Sequence, residues 1–109
     1  WNPLVFRNDF KKENIDIVMF NNRRIGFIDL EFRDKFSFIK NIQISKKFRN
    51  KGLGSFLLQI LENNTIKKDK DKIRLLVFKE NIAVNLYRKL SYKIKVEKDS
   101  YFIMEKTLK

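Results

Sequence analysis

The segment Arg49-Asn50-Lys51-Gly52-Leu53-Gly54-Ser55 carries the strongest chemical signal in this sequence. It joins a stretch of strand composition to an apolar helical stripe. A helix N-terminus leaves its first N–H groups unpaired and holds about half a positive charge, so it attracts anions. Glycine there lets the backbone approach a phosphate closely and frees the conformations that a nest of N–H groups needs. Arg49 and Lys51 add charge beside it. The segment is not a Walker A loop, since no Gly-Lys-Ser/Thr triplet closes it, nor is it a Gly-x-Gly-x-x-Gly fingerprint. It reads as a phosphate site, and the plainer alternative is a turn from strand to helix among surface lysines.

The rest of the inventory narrows the chemistry by what it lacks. With no Cys there is no disulfide framework and no thiolate nucleophile; with no His there is no Ser-His triad and no ordinary zinc or haem ligation, so no metal site is expected. The length of 109 residues fits one domain. At 43% apolar and 35% charged residues the composition is that of a soluble globular protein. The balance of 25 basic against 13 acidic residues, a formal charge of +12, favours anionic partners. No apolar run reaches the ~18 residues of a membrane span. Trp1-Asn2-Pro3 does not open a secretory signal, so the expected compartment is reducing and cytoplasmic, with no membrane partner. The chain lacks an initiator Met, which suggests that something precedes it.

Three Gly and one Pro punctuate the chain sparingly. Ile15 to Phe20 has strand composition, Asn21 to Arg24 turns, and Ile25 to Phe32 returns with Ile28, Leu30 and Phe32 on one face and Phe27, Asp29 and Glu31 on the other. After Arg33-Asp34-Lys35, Phe36 to Ile44 puts Phe36, Phe38, Ile42 and Ile44 in period-two register, completing an antiparallel meander. Leu53, Phe56, Leu57, Ile60 and Leu61 then recur at helical spacing over about three turns. Lys67 to Lys72 reads as a solvated connection or a frayed helix end. Ile73 to Phe78 is too continuously apolar for a half-exposed strand and should be central. Ala83, Leu86, Tyr87 and Leu90 form a second helical stripe, and Tyr92 to Val96 with Tyr101 to Met104 form a closing hairpin. The order β-β-β-α-β-α-β-β is an α/β mixed sheet.

The run Asn41 to Gly54 resembles motif A of the GNAT N-acetyltransferase superfamily, whose hallmark is Gln/Arg-x-x-Gly-x-Gly/Ala. The run Asn81-Ile82-Ala83-Val84-Asn85-Leu86-Tyr87-Arg88-Lys89-Leu90-Ser91-Tyr92 is similar to its motif B, Asn-x-x-Ala-x-x-Leu-Tyr-x-Lys-x-Gly-Phe. The resemblance covers Ile15 to the C-terminus. Ser91-Tyr92 departs from the usual Gly-Phe at a structural corner, with little chemical effect expected, and Lys46 stands where Pro is usual. A full member also has a strand and two helices before the meander, where this chain has about fourteen residues. The expectation is therefore a single domain, incomplete at its N-terminus, with Trp1 to Phe10 as the tail of the missing part. Such a meander would have a bare edge, and exposed edges invite pairing with a second copy.

The resemblance implies acetyl transfer from acetyl-CoA to an amine, small molecule or protein, by direct attack in a ternary complex. The absence of Cys and His agrees, since a covalent acyl-enzyme has no evident carrier. It implies that the pyrophosphate sits on the N–H groups from Asn50 to Ser55, through Lys51, Gly52, Leu53 and Gly54, with Arg49 beside them. It implies that pantetheine pairs with the backbone of Ile42, Gln43 and Ile44, one N–H polarising the thioester. Tyr87 matches the motif tyrosine placed near the sulfur as general acid; otherwise it is a core tyrosine. Asn81 is expected to cap the second helix, and the resemblance implies that it also lies near pantetheine. A base must help an amine of pKa about 10.4 attack unprotonated. Asp29 and Glu31 are candidates, or else plain solvent-facing residues, and neither is assigned. A basic nucleic-acid-binding module is the rival reading, resting on charge and strand aromatics. Against it, the aromatics alternate inward and the lysines are scattered.

Overall fold

Asn21 and Asn22, at φ of 50° and 63°, supply the left-handed pair that a two-residue hairpin turn needs. In a computed structural model, which describes residues 4–7, 15–49 and 52–108, this turn joins β2 (Ile15–Phe20) to β3 (Arg23–Phe32). A second turn leads to β4 (Phe36–Ile44). The chain continues through α1 (Leu53–Lys67), β5 (Lys72–Phe78), α2 (Ala83–Lys89), β6 (Lys93–Glu97) and β7 (Tyr101–Thr107). All these expected elements are present.

One element was not expected. β1 (Leu4–Arg7) pairs antiparallel with β2 and buries Leu4, so the meander's outer edge is covered rather than bare. Only residues 8–14 separate it from β2, and the rest of the Trp1 to Phe10 expectation lies outside the described residues. The sheet runs β1-β2-β3-β4-β5-β7-β6, antiparallel throughout except for the parallel β4–β5 pair.

Both helices pack on one face of this sheet. The core there is Val18, Ile28, Ile39, Leu57, Leu61, Ile73, Leu75 and Met104, each without exposed surface. α1 runs a turn longer than its apolar stripe. The Thr65 hydroxyl donates to the Leu61 carbonyl at 2.8 Å and shares a 2.7 Å hydrogen bond with the Ser37 hydroxyl, which anchors that last turn on β4.

Two expectations about facing are corrected. Leu30 lies opposite Ile39 and Asp29 opposite Asn41, so Lys40 is the extra residue of a β-bulge. Because side chains alternate with period two, one extra residue inverts the phase. Ile42 and Ile44 point toward the helices, but so do Ser37 and Ile39, whereas Phe36 and Phe38 lie on the opposite face. There the Arg33 guanidinium stands 4.8 Å from the Phe38 ring centroid and that of Arg74 4.2 Å from Phe36. These two aromatics thus do not alternate inward. β5 is central, as expected, but buried on one face only: Ile73, Leu75 and Val77 are core, whereas Phe78 is 60% exposed. Among the described residues no helix is long and apolar enough to cross a membrane.

Candidate active site

The parallel pairing of β4 with β5 stops early. It joins residues 36–39 to 72–75, after which β4 continues along β3 to Ile44 and β5 along β7 to Phe78. The stop coincides with the Lys40 bulge, which bends the strand. Past it the two strands diverge, and the backbone of Asn41 to Ile44 that faces β5 has no strand partner. Of the predicted positions there, Ile42 and Ile44 are half-buried and Gln43 is exposed, its Nε2 donating to Asn41 Oδ1 at 3.1 Å.

At the far end of this opening stands the glycine turn. Gly52 is the N-cap of α1 and adopts φ 77°, ψ 0°, with no side-chain cap. An added Cβ would meet nothing within 4 Å, so the glycine answers to backbone conformation and not to crowding. The first intrahelical bond runs from the Phe56 N–H to the Gly52 carbonyl at 3.1 Å. The N–H groups of Leu53, Gly54 and Ser55 precede it, and among the described residues no side chain caps them. At Gly54 a Cβ would meet Leu86 Cδ2 at 3.5 Å, an ordinary packing distance, so α2 lies directly against the first turn of α1 and only a branched side chain would crowd it. The Arg49 Nε donates to the Ile44 carbonyl at 2.8 Å, which ties the loop to the end of β4. Asn50 and Lys51 lie outside the described residues.

α2, which meets the first turn of α1 through Leu86, carries the remaining candidates. Asn81 is its cap in function: Oδ1 accepts the Ala83 N–H at 2.9 Å and its carbonyl accepts the Val84 N–H at 3.1 Å. Tyr87 is 5% exposed, and burial pushes its hydroxyl up to about 12. That hydroxyl has no hydrogen-bond partner among the described residues. Since no fully enclosed side-chain oxygen is left unpaired there, the Tyr87 oxygen reaches the molecular surface. The ring is packed and the polar tip is open.

The two carboxylates part company. Glu31 is held by Lys40 at 3.0 Å and Arg33 at 3.2 Å, and hydrogen bonds from these two cations lower its pKa. Asp29 lies two pairs nearer the opening, opposite Asn41, and makes no ion pair among the described residues. Both are on the sheet face away from the helices, opposite to Tyr87.

Sequence reasoning missed Gly26, where a Cβ would overlap the Gln43 carbonyl on β4. The scarcity of glycine was the available signal. It also missed the Lys40 bulge, which leaves no mark in composition. At the corner after α2, Ser91 takes φ 76°, the left-handed conformation that explains why glycine is usual in the resembled motif.

This arrangement is that of a known family. The acetyltransferase (GNAT) domain model matches residues 12–94, and the chain belongs to that family. Among solved structures it is similar to the PaiA N-acetyltransferase of Thermoplasma acidophilum in complex with coenzyme A, with 26% identity and a TM-score of 0.78 over 85% of this chain. The chain spans 59% of the length of that protein. It shares its fold with a GNAT acetyltransferase of Elizabethkingia anophelis with acetyl-CoA bound (21% identity, TM-score 0.74, 86% of this chain and 75% of that one). An acetyltransferase of Thermus thermophilus has the same fold at 11% identity (TM-score 0.78, 86% of this chain and 63% of that one).

Proposed function

We propose that this protein is an N-acetyltransferase that moves the acetyl group of acetyl-CoA to an amine by direct attack. The observation that carries this reading is the opening between β4 and β5, followed in the chain by the uncapped N-terminus of α1, against which the helix that carries Tyr87 packs through Leu86. In this reading the pyrophosphate rests on the N–H groups of Leu53, Gly54 and Ser55, and pantetheine lies along the edge of Ile42 to Ile44 that has no strand partner, beside the Ile44 carbonyl that Arg49 already holds. An N–H of that edge donates to the thioester oxygen as negative charge develops there.

The amine nitrogen attacks the thioester carbonyl carbon from the sheet face away from the helices, and the carbon–sulfur bond breaks. Deprotonating an ammonium of pKa about 10.4 at pH 7 costs about 4.6 kcal/mol. Asp29 is better suited to receive that proton, directly or through water, than Glu31, because the two cations on Glu31 hold its charge. The sulfur leaves as a thiolate. With its hydroxyl near 12, Tyr87 would lose about 5 kcal/mol in handing its proton to a thiolate of pKa about 8.5. It therefore donates a hydrogen bond to the departing sulfur, and the thiolate takes its proton from solvent.

Calorimetry with acetyl-CoA, followed by thiol release over a panel of primary amines, tests the reading. Saturation at 100 times the dissociation constant should stabilise the fold by about 2.7 kcal/mol. No stabilisation by millimolar acetyl-CoA would refute it.

A further inference from the structure

Behind Tyr87, on the helix side of the sheet, a polar cluster joins three elements. The Tyr92 hydroxyl donates to Glu62 Oε2 on α1 at 2.9 Å, and Lys106 Nζ on β7 donates to Glu62 Oε1 at 3.0 Å. Lys106 Nζ also lies 5.7 Å from the centre of the Tyr92 ring. Tyr92 is 2% exposed, and the Glu62 side chain is 14% exposed. The same tyrosine touches Tyr87 twice: its N–H donates to the Tyr87 carbonyl at 2.9 Å, and the ring centroids are 6.0 Å apart. A phenylalanine would fill the same volume without burying a hydroxyl and would need no carboxylate on α1.

α2 has seven residues, too few to hold a helix by itself. Its start is capped by Asn81 and its middle rests on Gly54 through Leu86. Among the described residues, Tyr92 alone ties its end to α1 by a side-chain hydrogen bond. Burying a carboxylate and an ammonium with a hydroxyl between elements yields less net stability than apolar packing would, but it fixes geometry. We propose that Tyr92 is a positioning residue whose bond to Glu62 sets the Tyr87 hydroxyl at a fixed distance from the glycine turn. The inference rests on the acetyltransferase reading: a cofactor whose phosphates and sulfur are a set length apart makes that distance matter. Tyr92 itself touches no reacting atom.

The chain has three tyrosines, so fluorotyrosine labelling gives three ¹⁹F resonances that single substitutions assign. Coenzyme A is the probe. It should shift the Tyr87 resonance in the parent; Tyr92→Phe should cut that shift by about half or more. Lys106→Met breaks the ion pair and lowers the melting temperature, yet keeps the Tyr92–Glu62 bond, so it should leave the Tyr87 shift as in the parent. In turnover with the best amine of the panel, Tyr92→Phe should lower kcat about fivefold at unchanged KM for acetyl-CoA, and less than twofold in a Tyr87→Phe background. A parental Tyr87 shift in Tyr92→Phe, an equal loss in Lys106→Met, or an undiminished kcat effect without the Tyr87 hydroxyl would each overturn the inference. A parent whose Tyr87 resonance ignores coenzyme A would instead refute the acetyltransferase reading of Tyr87, and this inference with it.

Discussion

The two helices of this protein begin in opposite ways. α2 starts with Asn81, whose side chain fills one of the donors at its own helix end. α1 starts with Gly52, which has no side chain and a left-handed backbone, and leaves its first N–H groups free. A side-chain cap is worth about 1 kcal/mol, so α1 forgoes stability that α2 takes. The difference teaches what each end is for. The α2 end is finished by the chain itself; in the proposed reading it serves to place Tyr87, and the α1 end is left for an anion to finish.

The most severe way to break this contrast is to fill the open end. Gly54→Val sets a branched side chain against both the approaching phosphate and Leu86, and should weaken acetyl-CoA binding 100-fold or more, about 2.7 kcal/mol. It should also press on Leu86, so its stability loss has a different cause from that of Gly52→Ala. There the side chain meets open space and the left-handed backbone alone costs about 1–2 kcal/mol. Calorimetry and denaturant unfolding on both variants check this. Unchanged affinity in a folded Gly54→Val protein would remove the phosphate assignment.

Next in size is the donor that α2 carries. Tyr87→Phe should lower kcat about 10-fold to 100-fold with acetyl-CoA affinity intact, the pattern of an interaction made in the transition state. The same variant has a pH signature. Tyr87 is neutral when protonated, and its folded value near 12 exceeds the ordinary 10. Its contribution is therefore fully present below pH 10 and is lost as the pH rises from 10 toward 12. Thermal melts across that window should fall less steeply in Tyr87→Phe than in the parent.

Smaller effects belong to the finished end. Asn81→Ala should cost about 1 kcal/mol of stability through α2 and disturb acetyl-CoA affinity far less than Gly54→Val does. Asn81→Asp keeps an acceptor and adds a charge favoured at a helix start, so it should gain a few tenths of a kcal/mol at low salt. Urea unfolding at two ionic strengths resolves that gain. A loss on Asn81→Asp would mean that Asn81 serves something besides the cap.

Much of this was legible in the residues because it rests on local rules. Turn asparagines, alternating strands, helical stripes and a glycine pair each report on their own neighbourhood, and the strand order followed. The two halves of the site, the glycine turn and Tyr87, were visible as motifs. The Lys40 bulge was not, because nothing in Phe36 to Ile44 marks where an extra residue enters a ladder, and that single residue reversed the facing of Phe36 and Phe38. Nor could the sequence choose between Asp29 and Glu31. The choice turns on Lys40 and Arg33 reaching one carboxylate and not the other, which depends on side-chain placement. Tyr92 looked like a minor variation of a corner until Glu62, thirty positions away, was seen to receive its hydroxyl.

The short run over which β4 and β5 pair also bears on how the chain assembles. Every other strand neighbour is antiparallel, and β2–β3, β3–β4 and β6–β7 are consecutive in the chain, so β2 to β4 can zip as one local unit, while β6 and β7 form a hairpin that β5 joins across α2. Only 36–39 against 72–75 stitches the two units together in the sheet. Parallel pairing across an intervening helix carries a loop-closure penalty that hairpins avoid, and contacts of that kind form late. The seam between the halves is therefore the expected last step of folding and the first place of partial opening. Amides on the β4 side of β5 should exchange with solvent sooner than those facing β7, and a molecule lying across the seam would slow them.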